Sequence, residues 1–262
     1  MVWEDIAMIR AEAPLVHNIT NYVVMNTTAN ALLAIGAAPV MAHAVEEVEE
    51  MVGLARALVI NIGTLSPPWV EAMIRAGTEA NRRKIPVVLD PVGCGATRFR
   101  TQAAQKLMEQ VHPAIIRGNA SEIASLLRSN QGTKGVDSSR VPEEVLDDAK
   151  VLSAAAGCVV SISGPVDLVV ERDAVVHIQN GDPIMTRVTG MGCTASAITG
   201  AFAAVNPSPF RAAAHAMALM GIAGEMAAVR SHGPGSFQMH FLDVLGGMQE
   251  ADITRRLRAQ GL

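Results

Sequence analysis

The sequence predicts an α/β fold: a doubly wound, mostly parallel central sheet with helices on both faces and a small antiparallel hairpin at one edge. Three observations carry this. Short uninterrupted runs of Val, Ile, Leu and Ala recur along the chain, as expected of strands buried on both faces. Longer stretches of helical periodicity separate them, which is the βαβ alternation of a parallel sheet. The region around Glu171 to Asp173 differs: Asp167–Val170 and Ala174–Ile178 alternate about a polar turn, the pattern of a hairpin.

Taken in order, the strand candidates are Leu15–His17, Pro39–Ala42, Ala57–Ile62, Pro86–Leu89, Ala114–Arg117 and Val159–Ser161. Helices are expected between them, among others over Trp69–Arg83 and Thr101–Glu109. From Val188 the chain reads as helical for most of its remainder. Gly233 to Ser236 is expected to interrupt it before a helix over Phe237–Met248 with Leu242 and Leu245 on one face. No repeat, low-complexity segment or long linker divides the chain, so residues 1–262 are expected to form one domain.

Composition excludes several function classes. A net charge of −4 argues against a nucleic-acid partner, because phosphate backbones require clustered Lys and Arg. The acidic run Glu46–Glu50 reads as a solvated helix face. The apolar stretch Ala212–Val229 carries His215 and Glu225, which suits a membrane span of about 20 apolar residues poorly. The N-terminus is acidic where a signal peptide is basic. Cys94, Cys158 and Cys193 are too few and scattered for a disulfide framework, and neither C-x-x-C nor H-E-x-x-H occurs. A soluble, cytoplasmic chain with no membrane partner is expected. Its mean hydropathy of +0.27 points to extra burial in an oligomer.

Open parallel sheets bind ligands beyond the carboxyl ends of their strands. Here those ends read His17–Asn18, Met41–Ala42, Gly63–Thr64, Asp90 to Gly93, Arg117 to Asn119 and Ser163–Gly164, followed by Gly190 to Cys193. Small and polar groups thus converge on one rim. "GMGCTA", from Gly190, matches the dinucleotide spacing G-x-G-x-x-A only weakly. It comes late in the chain, and the next acidic residue is Glu225. What survives is a tight turn feeding a helix, an anion hole formed by the N–H groups of Gly190, Met191, Gly192 and Cys193, or else a helix packed closely on the sheet. Cys193 is a nucleophile, an acid/base group or an inert small residue; at a helix N-terminus its pKa should fall. No Walker sequence is present.

Asp90 closes an apolar strand before Pro91 and two glycines, as a turn acid or as a carboxylate for Mg²⁺. Asn119 to Glu122 reads as a capping box, compatible with Glu122 also holding water on Mg²⁺. Arg117, permanently charged at the end of a buried strand, requires an anion, and phosphate is its bidentate partner. Ser163–Gly164 suits a nucleotide phosphate or a simple turn.

Together, "PLVHNITNYVVMNTTANALLAIGAAPVMAHA", "LVINIGTL", "PVVLDPVG", "IIRGNASE", "VTGMGC" and "GPGSF…FLDVL" resemble the hydroxyethylthiazole kinase family of the ribokinase-like superfamily, over essentially the whole chain. The resemblance implies ATP-dependent phosphorylation of 5-(2-hydroxyethyl)-4-methylthiazole in thiamine salvage, by a homotrimer with active sites between subunits. It implies thiazole contacts at Met41 and Gly190, ATP contacts at Arg117 and Ser163, Mg²⁺ held through Asp90 and Glu122, and Cys193 where related kinases place an aspartate base. The chain departs from the family at Ser163, where threonine is usual, and at Met191, where a small residue is usual. Three rivals stand beside this reading: a kinase for a pyrimidine alcohol, a cysteine hydrolase pairing Cys193 with His17, and a non-catalytic nucleotide- or thiazole-binding protein.

Overall fold

The computed structural model describes residues 1–128 and 142–262. Its first half runs α1 (Val2–Glu12), β1 (Leu15–Ile19), α2 (Met25–Ile35), β2 (Ala38–Val40), α3 (Val48–Leu54), β3 (Ala57–Asn61), α4 (Pro67–Arg83), β4 (Val87–Asp90), α5 (Arg98–Val111), β5 (Ile115–Asn119) and α6 (Ala120–Arg128). The second half runs α7 (Leu146–Ala156), β6 (Val159–Ser163), β7 (Asp167–Glu171), β8 (Ala174–Ile178), α8 (Met191–Val205), α9 (Pro209–Arg230), α10 (Pro234–Gly247), α11 (Glu250–Arg256) and β9 (Ala259–Gln260).

The strands form one sheet in the order β2-β1-β3-β4-β5-β6-β7-β8-β9, parallel from β2 to β6 and antiparallel beyond. The expected hairpin is β7–β8. The two-residue β9, which pairs Gln260 with His177, was not foreseen, because its sequence carries no alternation. The chain leaves β1 for β2 on one side and returns to β3 on the other, so the β1/β3 junction is a topological switch point, where ligands bind in such sheets.

Strand pleat sorts the core. Val16, Val59, Val88, Ile115 and Val159 face α1, α2, α8, α9 and α10. Leu58, Ile60, Leu89, Ile116 and Val160 face the helices α4 to α7. Helix starts follow local chemistry: Thr97 Oγ1 accepts from Arg100 N at α5, and Ser208 Oγ from Arg211 N at α9, where Pro209 takes the first helical position. Buried Asp5 ties α1 to α9 by accepting from Asn206 Nδ2 at 2.7 Å and pairing with His215 Nδ1 at 2.6 Å.

Several boundary readings need correction: β2 ends at Val40 rather than the expected Ala42, so Met41 lies just beyond it. β1, β5 and β6 each run two residues past their expected ends, taking in Asn18, Asn119 and Ser163. The ladder is made of backbone, so pairs such as Asn119–Ser163 continue it whatever their side chains. The break at Gly233 to Ser236 is also shorter than expected. Pro234 begins α10, where its missing N–H has no helical partner to lose, and Ser236 Oγ accepts from Gly233 N at 3.2 Å. The buried face of α10 is Phe237, Phe241, Val244 and Leu245, with Leu242 only partly covered. α9 is long and apolar enough to cross a bilayer, yet 78% of its most apolar window is buried inside the protein, as in a core helix.

Candidate active site

The site forms where the ends of β1, β3, β4, β5 and β6 meet the start of α8. That helix packs on β1, β3 and β4, and small residues bring it close: a Cβ on Gly200 would lie 2.5 Å from Val59 Cγ2. Gly190, its N-cap, has φ of +83°, and a Cβ there would sit 2.7 Å from Val24 Cγ1. Only glycine satisfies both constraints. The first helical bond runs from Thr194 N to Gly190 O at 2.8 Å. The amides of Met191, Gly192 and Cys193 therefore point out of the helix start with no intrahelical acceptor.

Arg117 stands over this turn. It is 5% exposed, its Nη1 lies 3.0 Å from where a Gly192 Cβ would be, and its Nε is buried with no partner among the described residues. A guanidinium so placed, beside unpaired amides, has the charge and donors that a multiply charged anion requires. Asp90 closes the floor. Its Oδ2 accepts from Asn61 Nδ2 and from Ser196 Oγ, both at 2.7 Å, while Oδ1 has no partner among the described residues. Burial, with Arg117 opposing and Glu122 adding to it, pushes the Asp90 carboxyl up to about 6.

Glu122 takes the expected capping geometry. Its Oε2 accepts from Asn119 N at 2.8 Å, and Asn119 Oδ1 accepts from Glu122 N at 2.9 Å. Its Oε1 accepts from Gly93 N at 2.8 Å, so the side chain also ties β5 to the loop after β4. Ser163 Oγ donates weakly to Gly118 O at 3.5 Å. A cavity of about 540 Å³ opens beside the turn, lined by Arg117, Ser163, Asp167, Gly192 and a wall of methionines.

Cys193 departs from expectation. Burial, reinforced by the negative charge of Asp90, pushes its thiol up, overriding the fall expected at a helix N-terminus. The sulfur accepts from Asn21 Nδ2 at 3.4 Å. His17, its proposed hydrolase partner, lies mid-strand in β1 and bonds Ala42 O through Nε2 at 2.7 Å. Among the described residues no histidine bonds the thiol, so the cysteine–histidine arrangement is not formed. Met41 also stands apart, at the end of edge strand β2, outside the cavity that Arg117 and Ser163 share.

Several functional positions escaped sequence reasoning. Asn61 lay hidden inside an apolar run, and Ser196 inside a small-residue helix. Asn21 sits in an asparagine-rich stretch whose other members Asn26 and Asn30 bond each other on an exposed helix face, so composition does not single it out. Asn21, Asn61, Asp90 and Ser196 form one hydrogen-bonded chain under Cys193. Arg100 gives its guanidinium to Ile62 O, Val92 O and Gly63 O at 2.7–2.9 Å, clamping the two loops that flank this chain. Trp69 packs at a tilt of about 45° between Tyr22 and His43, with ring centroids 5.0 and 4.6 Å away, and so joins the Asn21 loop to the Met41 loop. The legible signal was position: each of Asn21, Asn61 and Arg100 lies at or just beyond a strand end, or at a helix start.

Comparison with known proteins agrees with this geometry. The hydroxyethylthiazole kinase family matches residues 6–251. A hydroxyethylthiazole kinase of Syntrophus aciditrophicus is 60% identical over 257 residues, 98% of this chain and 95% of the relative. The solved hydroxyethylthiazole kinase protein of Pyrococcus horikoshii OT3 is 42% identical, with a TM-score of 0.92, covering 99% of this chain and 98% of that one. The Staphylococcus aureus pyridoxal kinase solved with ADP, at 17% identity and a TM-score of 0.63 over 81% of this chain and 88% of that one, shares the ribokinase-like fold. A strand order with its switch point under an unpaired helix start, and this likeness over nearly its full length, place the chain in the hydroxyethylthiazole kinase family.

Proposed function

We propose that the protein transfers the γ-phosphoryl group of ATP to the primary hydroxyl of 5-(2-hydroxyethyl)-4-methylthiazole, the hydroxyethylthiazole kinase step of thiamine biosynthesis. The observation that carries the reading is the turn at Gly190 to Cys193, with its free amides, Arg117 and Asp90 gathered on one spot. Phosphoryl transfer passes through a loose transition state that rewards in-line placement and charge neutralisation. The amides of Gly190 to Cys193 act as the anion hole for the migrating group, each such donor being worth about 3 kcal/mol. Arg117 neutralises the phosphate chain, and Ser163, whose hydroxyl is only weakly engaged, faces the same chain.

The residues fit Mg²⁺, which keeps most of its waters and takes one or two carboxylates beside phosphate oxygens. Asp90 offers a free Oδ1, whereas both Glu122 oxygens already accept from backbone amides, which suits Glu122 to holding a metal-bound water. Bound there, the ion supplies Lewis-acid neutralisation of the phosphates. Cys193, neutral at physiological pH, orients the substrate hydroxyl through its thiol. In a loose transition state the proton leaves late, so a strong base is not required. Gly190 and Met41 flank the thiazole on the side of β1 and β2.

On this reading residues 1–262 are one cytoplasmic kinase domain that works as a homotrimer with sites between subunits. Support comes from Tyr22 and Val23, which are 64% and 67% exposed directly beside the Cys193 partner Asn21. The kinase reading is tested by offering equal hydroxyethylthiazole and a pyrimidine alcohol with Mg-ATP and weighing the products by mass spectrometry. Thiazole phosphate should dominate. Preferential pyrimidine phosphorylation would overturn the substrate, and binding with no product would leave a binding protein.

A further inference from the structure

The cavity beside the α8 turn contains one buried carboxylate that the reaction above does not use. Asp167, the first residue of β7, is 8% exposed and lines the cavity with Arg117, Ser163 and Gly164. One oxygen is spent: Oδ1 accepts from Gly164 N at 2.9 Å. The other has no partner among the described residues. The cavity's other buried polar side chain besides Arg117 is Asn180, and it is fully engaged. Its Nδ2 donates to Glu225 Oε1 and Arg256 O, and its Oδ1 accepts from Arg258 N. Farther along, Met185, Met217 and Met220 form an apolar wall, and the Thr186 hydroxyl is turned onto Pro183 O at 2.8 Å.

A nucleoside triphosphate presents phosphates, ribose and base in that order. Arg117 and the Gly192 amide mark the phosphate end, and the methionines offer a polarizable surface for a flat ring without hydrogen-bonding it. Asp167 neighbours Arg117, whose charge acts on its carboxyl. The group that meets it is therefore the sugar. We infer that Asp167 reads the ribose of the nucleotide donor, its free carboxylate oxygen accepting a 2′- or 3′-hydroxyl, while the methionine wall takes the base with little discrimination. The enzyme would thus select its donor by sugar rather than by base. This rests on the nucleotide occupying the cavity, as the proposed function requires.

Calorimetric Kd values for ATP, 2′-deoxy-ATP, 3′-deoxy-ATP and ITP test it on the full-length protein, and they do not depend on turnover. Failure of the kinase reading appears as absence of thiazole phosphate in a parallel assay. Failure of this inference appears as equal affinity for ATP and both deoxynucleotides. Loss of a hydrogen bond to a charged group should weaken at least one deoxynucleotide by about 10- to 100-fold, with ITP within a few-fold of ATP. Asp167→Asn keeps an oxygen for Gly164 N, so a cooperative melt should confirm that it folds. It should bind ATP about as weakly as the wild type binds the affected deoxynucleotide and no longer tell the two apart. Retained sugar discrimination in Asp167→Asn, its loss instead in Asp182→Asn, which alters the less buried carboxylate of the same cavity, or strong preference for ATP over ITP would overturn the assignment.

Discussion

Burial governs how Cys193, Arg117 and Asp167 behave. Cys193 is pushed up by burial and by Asp90, so its thiolate is scarce near neutrality. A hydroxyl-steering thiol then predicts a kcat that stays flat between pH 7 and 9; a rate climbing in step with thiolate would contradict it. Cys193→Ser should lower kcat by about 10- to 100-fold yet leave measurable ATP-dependent transfer, because positioning and the anion hole remain. Arg117 holds a guanidinium 5% exposed, with Nε unpaired among the described residues and with Asp90 and Asp167 as the buried carboxyls its charge acts on. Arg117→Met leaves Asp90 and Asp167 buried without that cation, so it should lower Tm by several degrees in nucleotide-free protein while cutting kcat/KM by about 100-fold or more. Asp167 is pushed up to about 7 by burial. Its folded pKa lies above the unfolded value of 3.8, so the stability it contributes is present at pH 4 and is lost as pH rises to 7. Asp167→Asn should melt above the wild type at pH 8, by up to about 4 kcal/mol, with the gap closing toward pH 4. These residues differ in how far their sequence betrays them. Asp90 and Arg117 stand out because a charge ending an apolar run is expensive to bury and demands a reason, and Glu122 because it completes a capping box with Asn119. Asn21, Asn61 and Ser196 carry no charge and fit a strand end or a small-residue helix equally well. Only the folded register of Asn61 beside Asp90 reveals the chain they form.

At the scale of elements, α8 decides the chemistry. Its start is aimed by a left-handed glycine, and its body is pressed to the sheet by residues too small to hold it away. Gly190→Ala places a side chain at a φ of +83° and 2.7 Å from Val24. It should cost about 1–3 kcal/mol in a thermal melt and raise KM for ATP as the helix start is displaced. Unchanged stability and KM would separate the turn from catalysis. The strands were legible because burial on both faces leaves uninterrupted apolar runs, and the hairpin because one polar turn resets the alternation. The ends of β1, β5 and β6 were not, since ladder bonds extend into Asn18, Asn119 and Ser163 regardless of side chain. The behaviour of Cys193 was misjudged at this same scale: the helix start was visible, but the depth at which α8 buries it was not.

For the whole molecule, strand order sets the site. The return of the chain across β1 opens the crevice at the β1/β3 junction, and parallel pairing brings Asn18, Asn61, Asp90, Arg117 and Ser163 to one rim although they are spread over the chain. Alternation of strands and helices predicted this rim, but the side on which each new strand joins is not written in periodicity. Exposed Tyr22 and Val23 follow the end of β1 directly, beside Asn21 at this rim. Sedimentation at micromolar concentration should give three times the 27.5 kDa chain mass; a monomer of full activity would contradict sites shared between subunits. The central claim is that the phosphoryl group passes directly from ATP to alcohol while held on the α8 amides, with Cys193 never bonded to it. The most direct measurement is the configuration at phosphorus when ATP with an isotopically chiral γ-phosphate is turned over. Inversion in the thiazole phosphate is the predicted result, whereas net retention would reveal an intermediate on the enzyme and contradict the account.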